Sequence, residues 1–162
     1  MSTEPKQLSK GAQTVQDALS SRGLKFNVVE FPASTHTANE AAAAIGCELA
    51  QIVKSLIFRG KESNQPILVL VSGINRVNET AIEDCVGETI VKAEADFVQK
   101  VTGFAIGGVP PIGHSQVINT LIDDDLLKFK ELWAAAGTPN AVFSFGSKDI
   151  ETLTGGKVIS VK

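Results

Sequence analysis

Two apolar, β-branched segments separated by a short polar turn place the strongest constraint on how this chain can fold. The first, QIVKSLIFR, covers residues 51–59, and the second, ILVLVS, covers residues 67–72. Between them, GKESN at residues 60–64 is typical of a tight turn. Because this link is too short for a crossover to a parallel neighbour, the two segments predict an antiparallel hairpin.

The rest of the sequence alternates short helical and short strand patterns. Helices are predicted where apolar residues recur at helical spacing or follow a capping residue, over residues 14–22, 37–44, 78–86, 96–101, 126–136 and 149–153. Further strands are predicted over residues 26–31, 89–92, 116–122, 141–145 and 158–161. Since several links are too short for parallel crossovers, we predict an α/β (α+β) fold with a mixed, largely antiparallel sheet and surrounding helices.

Length and composition indicate one globular domain. The chain has 162 residues, of which 43% are hydrophobic and 20% charged. We expect a flexible N-terminal segment over residues 1–13 and a folded domain over residues 14–162. No apolar run approaches the ~20 residues that cross a bilayer, and the start of the chain lacks an apolar signal core, so we expect a cytoplasmic protein without membrane contact.

Charge and residue counts exclude several classes of site. Fifteen Lys and Arg against 18 Asp and Glu give a net charge of −3, which disfavours binding to duplex DNA but is compatible with a pocket for a nucleotide or an RNA end. We expect a small basic strip formed by Lys54, Arg59 and Arg76. Two cysteines and two histidines do not have the spacing of a zinc site, and no metal or cofactor is expected. His36 is interpreted as a surface residue, and the acidic run at residues 123–125 as a solvated turn rather than a cation site.

Lys54 is the first candidate for chemistry, because it interrupts an apolar strand. With a period of two, its side chain shares a face with Leu56 and Phe58. An ammonium among such neighbours is unfavourable unless an anion or a hydrogen-bond acceptor meets it. Lys54 is therefore either a pocket cation that faces a phosphate, carboxylate or carbonyl, or a lysine whose stem covers apolar surface while its amine reaches water. Both strand faces are apolar, so the pattern leaves both interpretations open.

The segment GGVPPIG at residues 107–113 is the second candidate. Its glycines allow close backbone approach to a ligand, and its two prolines fix φ, so the loop is expected to be rigid and open. Such a loop can present N–H donors to an oxyanion or a ribose, although an ordinary double-proline turn has the same composition. His114 follows the loop and is either a general base or substrate hydrogen-bonder, or a solvent-facing residue.

The order and separation of these motifs resemble one family. The segments are QIVKSLIFRG, ILVLVSG, INRVN, TGFAIGGVPPIGH and, after the acidic turn, LLKFKELWAAAGTPNAVF. From about residue 14 to residue 161, the chain is similar to the YbaK/ProX-like aminoacyl-tRNA deacylases, which are free-standing relatives of the editing domain in bacterial prolyl-tRNA synthetases. The most specific elements are Lys54 within Val-Lys-Ser and the GxxxP loop at residues 107–111.

The resemblance implies a single domain with a curved mixed sheet and a cleft for the 3′ end of tRNA. It implies hydrolysis of the ester between a wrong amino acid and the terminal adenosine, often on tRNA for proline, with neither a metal nor a covalent nucleophile. The expected partners are the aminoacyl-tRNA 3′ end and, as a further candidate, an aminoacyl-tRNA synthetase. The candidate catalytic residues are Lys54, Gly107, Gly108 and Pro111.

The candidate substrate-binding residues come from the same resemblance and from the sequence pattern. Ser55 lies beside the pocket lysine, Ser144 occupies the place of a pocket serine, and His114 matches some branches of the family. Arg76 is added from the basic strip and Thr37 from the start of the second predicted helix. The residues after Ser144, FGSKD, depart from the Gly-Gly-Lys-Arg pattern of the cysteine-specific members.

Such a sparse site is sufficient for this chemistry. An aminoacyl ester is already activated, and a ribose hydroxyl lies next to the scissile bond, so the protein needs mainly to position the ester and stabilise the oxyanion. We therefore expect water, or the vicinal hydroxyl, to be activated by groups of the substrate. A small pocket would admit alanine, serine, threonine or cysteine. The alternative is a binding module for the tRNA 3′ end or an aminoacyl-nucleotide that lacks hydrolysis.

Overall fold

The computed structural model describes residues 8–32 and 37–162, so His36 and residues 1–7 lie outside the described part. The helices are α1 (Lys10–Ser21), α2 (Ala38–Ile45), α3 (Glu79–Val86), α4 (Ala95–Thr102) and α5 (Ile150–Thr154). The strands are β1 (Val28–Glu30), β2 (Ile52–Gly60), β3 (Pro66–Ser72), β4 (Ile90–Lys92), β5 (Asn119–Asp123), β6 (Glu131–Ala135), β7 (Ala141–Gly146) and β8 (Lys157–Ile159). Short 3₁₀ helices cover Leu49–Gln51, Asp124–Lys128 and Ser147–Asp149.

In the described residues, all eight strands belong to one sheet. The order is β1-β7-β6-β2-β3-β5-β8, and β4 also pairs with β2. Four of the pairings in this part are antiparallel (β1–β7, β2–β3, β2–β4 and β6–β7), and three are parallel (β2–β6, β3–β5 and β5–β8). The predicted hairpin is β2–β3, with its register running from Val53↔Ser72 to Arg59↔Pro66. The single α/β domain with a mixed, mostly antiparallel sheet is confirmed.

Helices cover both faces of the sheet, which explains why its central strands are apolar throughout. Leu68 and Leu70 of β3 face one side, where Leu19 of α1 belongs to the same core cluster. Val69 and Ile82 of α3 belong to the core on the other side. All five are fully buried, and burial of such a side chain is worth about 1.5–3 kcal/mol. A strand buried on both faces shows no alternation of polar and apolar residues.

One edge of β2 is left open, and this opening positions the site. Because β3 pairs along the whole of the opposite edge, β6 and β4 share the remaining edge. β6 pairs with Ile52 and Val53, whereas β4 pairs with residues 58–60. Among the described strands, none pairs with residues 54–57 on this edge. The sheet therefore splits beside the segment that contains Lys54.

Two predictions about the elements were wrong. The first helix begins at Lys10 rather than at residue 14, and Ala12 is fully buried. Residues 126–136 do not form one helix, because a short 3₁₀ helix is followed by β6. Leu132 and Ala134 are buried on one face of β6 while Trp133 lies on the other, and apolar residues on both faces concealed the period of two.

Two local signals were confirmed. Thr37 caps α2 by accepting a hydrogen bond from Glu40 N at 3.1 Å, and Gly46 ends that helix with a φ of 82°. A positive φ favours glycine, which explains its place as the helix stop. Across the described ranges, none of the helices combines the length and the hydropathy required to traverse a bilayer.

Candidate active site at the open edge of β2

A cavity of about 530 Å³ lies at the split in the sheet. Its size falls in the range of small-molecule sites, about 300–1,000 Å³. It reaches both faces of β2, since Lys54, Leu56 and Phe58 line it on one face and Val53, Ser55 and Ile57 on the other. The remaining walls come from α2, the segment that leads into α3, β4, the loop at residues 106–109, and β6.

The structure brings five of the predicted site residues together. Lys54, Ser55, Arg76, Thr37 and Gly107 all line the cavity. The lysine and the glycine-proline loop therefore lie on walls of one cavity, although they are far apart in the sequence.

The other four predicted site residues do not line this cavity. They are Gly108, Pro111, His114 and Ser144. Gly108 and Pro111 are buried behind the wall that Gly107 and Val109 form. Ser144 of β7 pairs with Trp133 and shares a strand face with the lining residue Val142, but it does not itself line the cavity.

Lys54 is a half-buried cation with one acceptor among the described residues. Its Nζ donates a hydrogen bond to the carbonyl oxygen of Asn75 at 2.7 Å. Burial lowers the pKa of Lys54 from its ordinary value and the nearby Arg76 lowers it further, while Asp123 acts in the opposite direction. Of the two interpretations left open by the sequence, the placement agrees with the pocket cation. An ammonium has three N–H donors, so two remain for a ligand.

Ser55 contributes to the cavity a hydroxyl that forms no hydrogen bond with the described part of the protein. Among the residues that the structure describes, Ser55 Oγ is the buried side-chain polar atom without a hydrogen-bond partner. Leaving such a group unpaired costs about 1–3 kcal/mol. Since Ser55 also lines the cavity, a polar group of a ligand would recover this free energy.

Backbone hydrogen bonds hold the glycine-proline loop in place, and only part of the loop faces the cavity. Gly107 lines the cavity with a φ of 96°, a conformation that favours glycine. Gly108 N donates to Ala105 O at 3.1 Å, and Gly108 O accepts from Gly137 N at 2.9 Å. The Gly108 N–H is therefore engaged by Ala105 O rather than offered to the cavity. Gly108 instead anchors the loop against the β6–β7 turn.

His114 stabilises the loop from outside the cavity. Its Nε2 lies 2.7 Å from the carbonyl oxygen of Pro110. A carbonyl only accepts, so Nε2 carries the proton and donates it. Burial lowers the pKa of His114, although its hydrogen bond to Pro110 opposes this shift. The geometry therefore gives His114 a role in holding the double-proline turn rather than in contacting a ligand in the cavity.

Positive charge dominates the rim of the cavity, but one residue expected in the basic strip, Arg59, is not part of this rim. Arg59 donates to Asn64 Oδ1 at 2.6 Å and does not line the cavity. Lys92 of β4 does line it, together with Lys54, Arg76 and the acidic Glu79. Lys92 was not predicted as a site residue, because its position at the cavity depends on the long-range pairing of β4 with β2.

Trp133 is a second lining residue that the sequence analysis missed. It is half-buried on β6, and its Nε1 donates to Glu131 Oε1 at 3.1 Å. The helix predicted over residues 126–136 did not place Trp133 beside β2, whereas the observed strand β6 does. An aromatic ring at the rim provides a surface on which a nucleobase can stack.

The acidic run at residues 123–125 is only partly solvated, so its interpretation as a solvated turn was wrong for Asp123. Asp123 is fully buried and accepts hydrogen bonds from Ser72 N, Asn75 Nδ2 and Asp125 N at 2.8–3.0 Å. Asp125 forms ion pairs with Lys128 and Lys162 that lower its pKa. The three carboxylates lie within 4.8 Å of one another, but these N–H donors and ammonium groups already engage Asp123 and Asp125.

Comparisons with known proteins identify the family that the chain resembles. A family model described as an aminoacyl-tRNA editing domain matches residues 32–153. The uncharacterised protein YwhH of Bacillus subtilis (strain 168) is 31% identical over 132 residues, which are 82% of this chain and 83% of that protein. The proline–tRNA ligase of Limosilactobacillus fermentum (strain NBRC 3956 / LMG 18251) is 36% identical over 95 residues, 56% of this chain but 17% of the ligase.

A solved structure matches nearly the whole chain. It is a crystal structure assigned provisionally as a trans-editing enzyme for prolyl tRNA synthetase, and it superposes with a TM-score of 0.91 at 47% identity. The match covers 96% of this chain and 99% of that one. With a family match over most of its length and this agreement in fold, the chain belongs to the aminoacyl-tRNA editing domain family.

Proposed function

We propose that the protein is a trans-acting aminoacyl-tRNA deacylase that removes a small, wrongly attached amino acid such as alanine, serine, threonine or cysteine from tRNA for proline or a related tRNA. The observation that carries this proposal is the single cavity shared by the Lys54 ammonium, the unpaired Ser55 hydroxyl and Gly107. Membership of the editing-domain family and the similarity to proline–tRNA ligase support the substrate class.

The two faces of β2 suit the two ends of an aminoacyl-adenosine. On the Lys54 face, Arg76 and Lys92 supply positive charge for the phosphate backbone, and Trp133 supplies a stacking surface for the terminal adenine. Stacking of a base on an aromatic side chain is worth about 1–3 kcal/mol.

On the Ser55 face, the lining residues are small and apolar, which suits the amino-acid side chain. Ala93, Val98 and Val109 line the cavity there and belong to the core cluster of that face. One methylene changes binding in such a pocket by about 1–3 kcal/mol. A pocket of this kind discriminates by volume and excludes larger amino acids.

The reaction is ester hydrolysis with few protein groups. The oxygen of a water molecule bonds to the ester carbonyl carbon, the bond from that carbon to the ribose oxygen breaks, and the ribose oxygen takes a proton. The two N–H donors of Lys54 that Asn75 does not use stabilise the oxyanion. We assign activation of the water to the vicinal ribose hydroxyl of the substrate, which agrees with the position of His114 outside the cavity.

A panel of mischarged tRNAs tests the proposal. We expect the protein to release free amino acid from tRNA for proline charged with at least one of alanine, serine, threonine or cysteine, and at least tenfold faster than from the same tRNA charged with proline. The rate is measured against spontaneous hydrolysis without protein. Tight binding with the ester retained on every tRNA would support the alternative, a non-catalytic module for the tRNA 3′ end.

Ser55→Ala is expected to separate stability from activity. Because the substitution removes an unsatisfied buried hydroxyl, the free energy of unfolding should stay equal or rise by up to about 1–3 kcal/mol. Deacylation should fall about tenfold, because the variant lacks the hydroxyl that bonds a polar group of the ligand. Denaturant unfolding and kcat/KM measure the two effects.

A buried serine elsewhere in the chain provides the control for stability. Ser72 Oγ donates to Ala50 O at 2.7 Å, so Ser72→Ala should lower the free energy of unfolding by about 1 kcal/mol. If Ser55→Ala destabilised the protein as Ser72→Ala does and left kcat/KM unchanged, Ser55 would have a structural role only.

A further inference from the structure

The turn that follows β3 carries the acceptor for Lys54. Residues 72–76 connect β3 to the segment before α3, and Arg76 at the end of this turn lines the cavity. The carbonyl oxygen of Asn75 accepts from Lys54 Nζ at 2.7 Å. The direction in which the ammonium points therefore depends on where this turn holds the carbonyl of Asn75.

The backbone of the turn is fastened to the start of β2. Ser72 Oγ donates to Ala50 O at 2.7 Å, Gly73 N donates to Ile52 O at 2.8 Å, and Asn75 N donates to Ser72 O at 2.9 Å. A methyl group on Gly73 would collide with the backbone oxygen of Leu49, so the two stretches of chain lie in direct contact. These bonds fix the turn up to Asn75.

The side chain of Asn75 fixes the residue itself. Its Nδ2 donates to Asp123 Oδ2 and to Asp125 Oδ2, both at 2.8 Å. Asp123 is fully buried, and Asp125 is held by Lys128 and Lys162 at 2.8 and 2.7 Å. An amide with two N–H donors fits between two carboxylates, whereas an aspartate at position 75 would add a third negative charge there.

We propose that Asn75 is a positioning residue for the reaction, which holds the Lys54 ammonium toward the substrate carbonyl by anchoring its own carbonyl through Asp123 and Asp125. The inference rests on the role proposed above for Lys54. A lysine side chain has four rotatable bonds, and one fixed acceptor removes most of that freedom while leaving two N–H donors. Asp123 and Asp125, which the proposed reaction does not otherwise use, thereby act on the site through Asn75.

Steady-state kinetics with a double-mutant cycle test the inference. Asn75→Ala should lower kcat about tenfold and change KM for aminoacyl-tRNA by less than about threefold, because binding groups stay in place while the amine is no longer held. In a Lys54→Ala background, Asn75→Ala should have no further effect, since its action runs through the amine. An equal loss in both backgrounds would overturn the proposal.

Gln16 offers a matched control. Its Nε2 donates to Phe26 O at 3.1 Å, and its Oε1 accepts from Val28 N at 2.9 Å. Gln16 belongs to α1 and does not line the cavity. Gln16→Ala removes a comparable set of amide hydrogen bonds, so it should lower the unfolding temperature while kcat stays unchanged.

A measurement on the free protein separates this inference from the deacylase proposal. In NMR spectra of protein with ¹⁵N-labelled lysine, we expect a protected Nζ signal that is missing in Lys54→Arg, lost in Asn75→Ala and retained in Gln16→Ala. A signal unchanged in Asn75→Ala overturns the positioning role even if the protein is an active deacylase. A signal lost as expected in a protein that releases no amino acid supports the positioning role and contradicts only the deacylase.

A second variant applies if Asn75→Ala does not fold. Asp125→Ala removes one of the two acceptors of the Asn75 amide and leaves Asp123 in place. It should weaken the protected Lys54 signal and lower kcat in the same direction by a smaller factor, about threefold. A full signal and full kcat in Asp125→Ala would overturn the proposal.

Discussion

Replacement of Lys54 by alanine is expected to lower the rate of deacylation about 100-fold, the loss typical of removing one donor to an oxyanion. The fold should survive, because within residues 8–32 and 37–162 the Lys54 ammonium makes one hydrogen bond, at 2.7 Å to Asn75 O, and its stem borders an open cavity. We therefore expect a change of less than about 1.5 kcal/mol in the free energy of unfolding. Single-turnover deacylation and denaturant unfolding measure the two quantities.

Whether kcat or KM changes in Lys54→Ala shows which group of the substrate the Lys54 ammonium contacts. A fall in kcat places the ammonium at the ester carbonyl, whereas a rise in KM with unchanged kcat places it at a phosphate. Arg59→Ala is the control, because Arg59 is a cation on the same strand that bonds to Asn64 and does not line the cavity. Near wild-type activity of Lys54→Ala would remove this residue from the mechanism.

Elements that depend on local sequence were predicted well. The β2–β3 hairpin follows from two β-branched segments and a short turn, and α2 follows from the Thr37 cap and the Gly46 stop. In each case the deciding interactions lie within a few residues along the chain. The family resemblance added the relation between Lys54 and the glycine-proline loop, which local patterns do not contain.

Residues whose role depends on long-range pairing were missed. Trp133 and Lys92 reach the cavity because β6 and β4 share one edge of β2, and no local pattern specifies that pairing. Apolar residues on both faces of β6 hid its alternation, so the helix over residues 126–136 was predicted in its place. Asn75 lies in the segment INRVN, but its contact with Lys54 depends on the conformation of the turn after β3.

In the glycine-proline loop, the residues of one sequence motif do not all line the candidate site. Its residues are adjacent in sequence, yet Gly107 lines the cavity while Gly108 bonds to the β6–β7 turn. His114 turns back to bond Pro110. One part of the loop therefore supports the part that lines the cavity, so a change in a supporting residue should be transmitted to the cavity wall.

Gly108→Ala tests that transmission. A Cβ atom on Gly108 would lie 2.9 Å from both Cα and N of Thr138, and neither is a flexible side-chain atom. The backbone of the loop and of the β6–β7 turn must therefore move apart, which weakens the Gly137 N–Gly108 O hydrogen bond of 2.9 Å. Overpacking of this kind costs about 1–3 kcal/mol of folding free energy.

The larger expected effect of Gly108→Ala is on catalysis. Gly107 and Val109 flank Gly108 and line the cavity, so both move with it, and a misplacement of about 1 Å in a positioning group can cost about 100-fold in rate. Gly146→Ala is the matched control, since Gly146 has an extended backbone with a φ of −73° and its nearest neighbour would be a side-chain oxygen of Asp149 at 3.3 Å. That variant should keep full activity. If Gly108→Ala folded and deacylated at the wild-type rate, the loop would not form part of the active site.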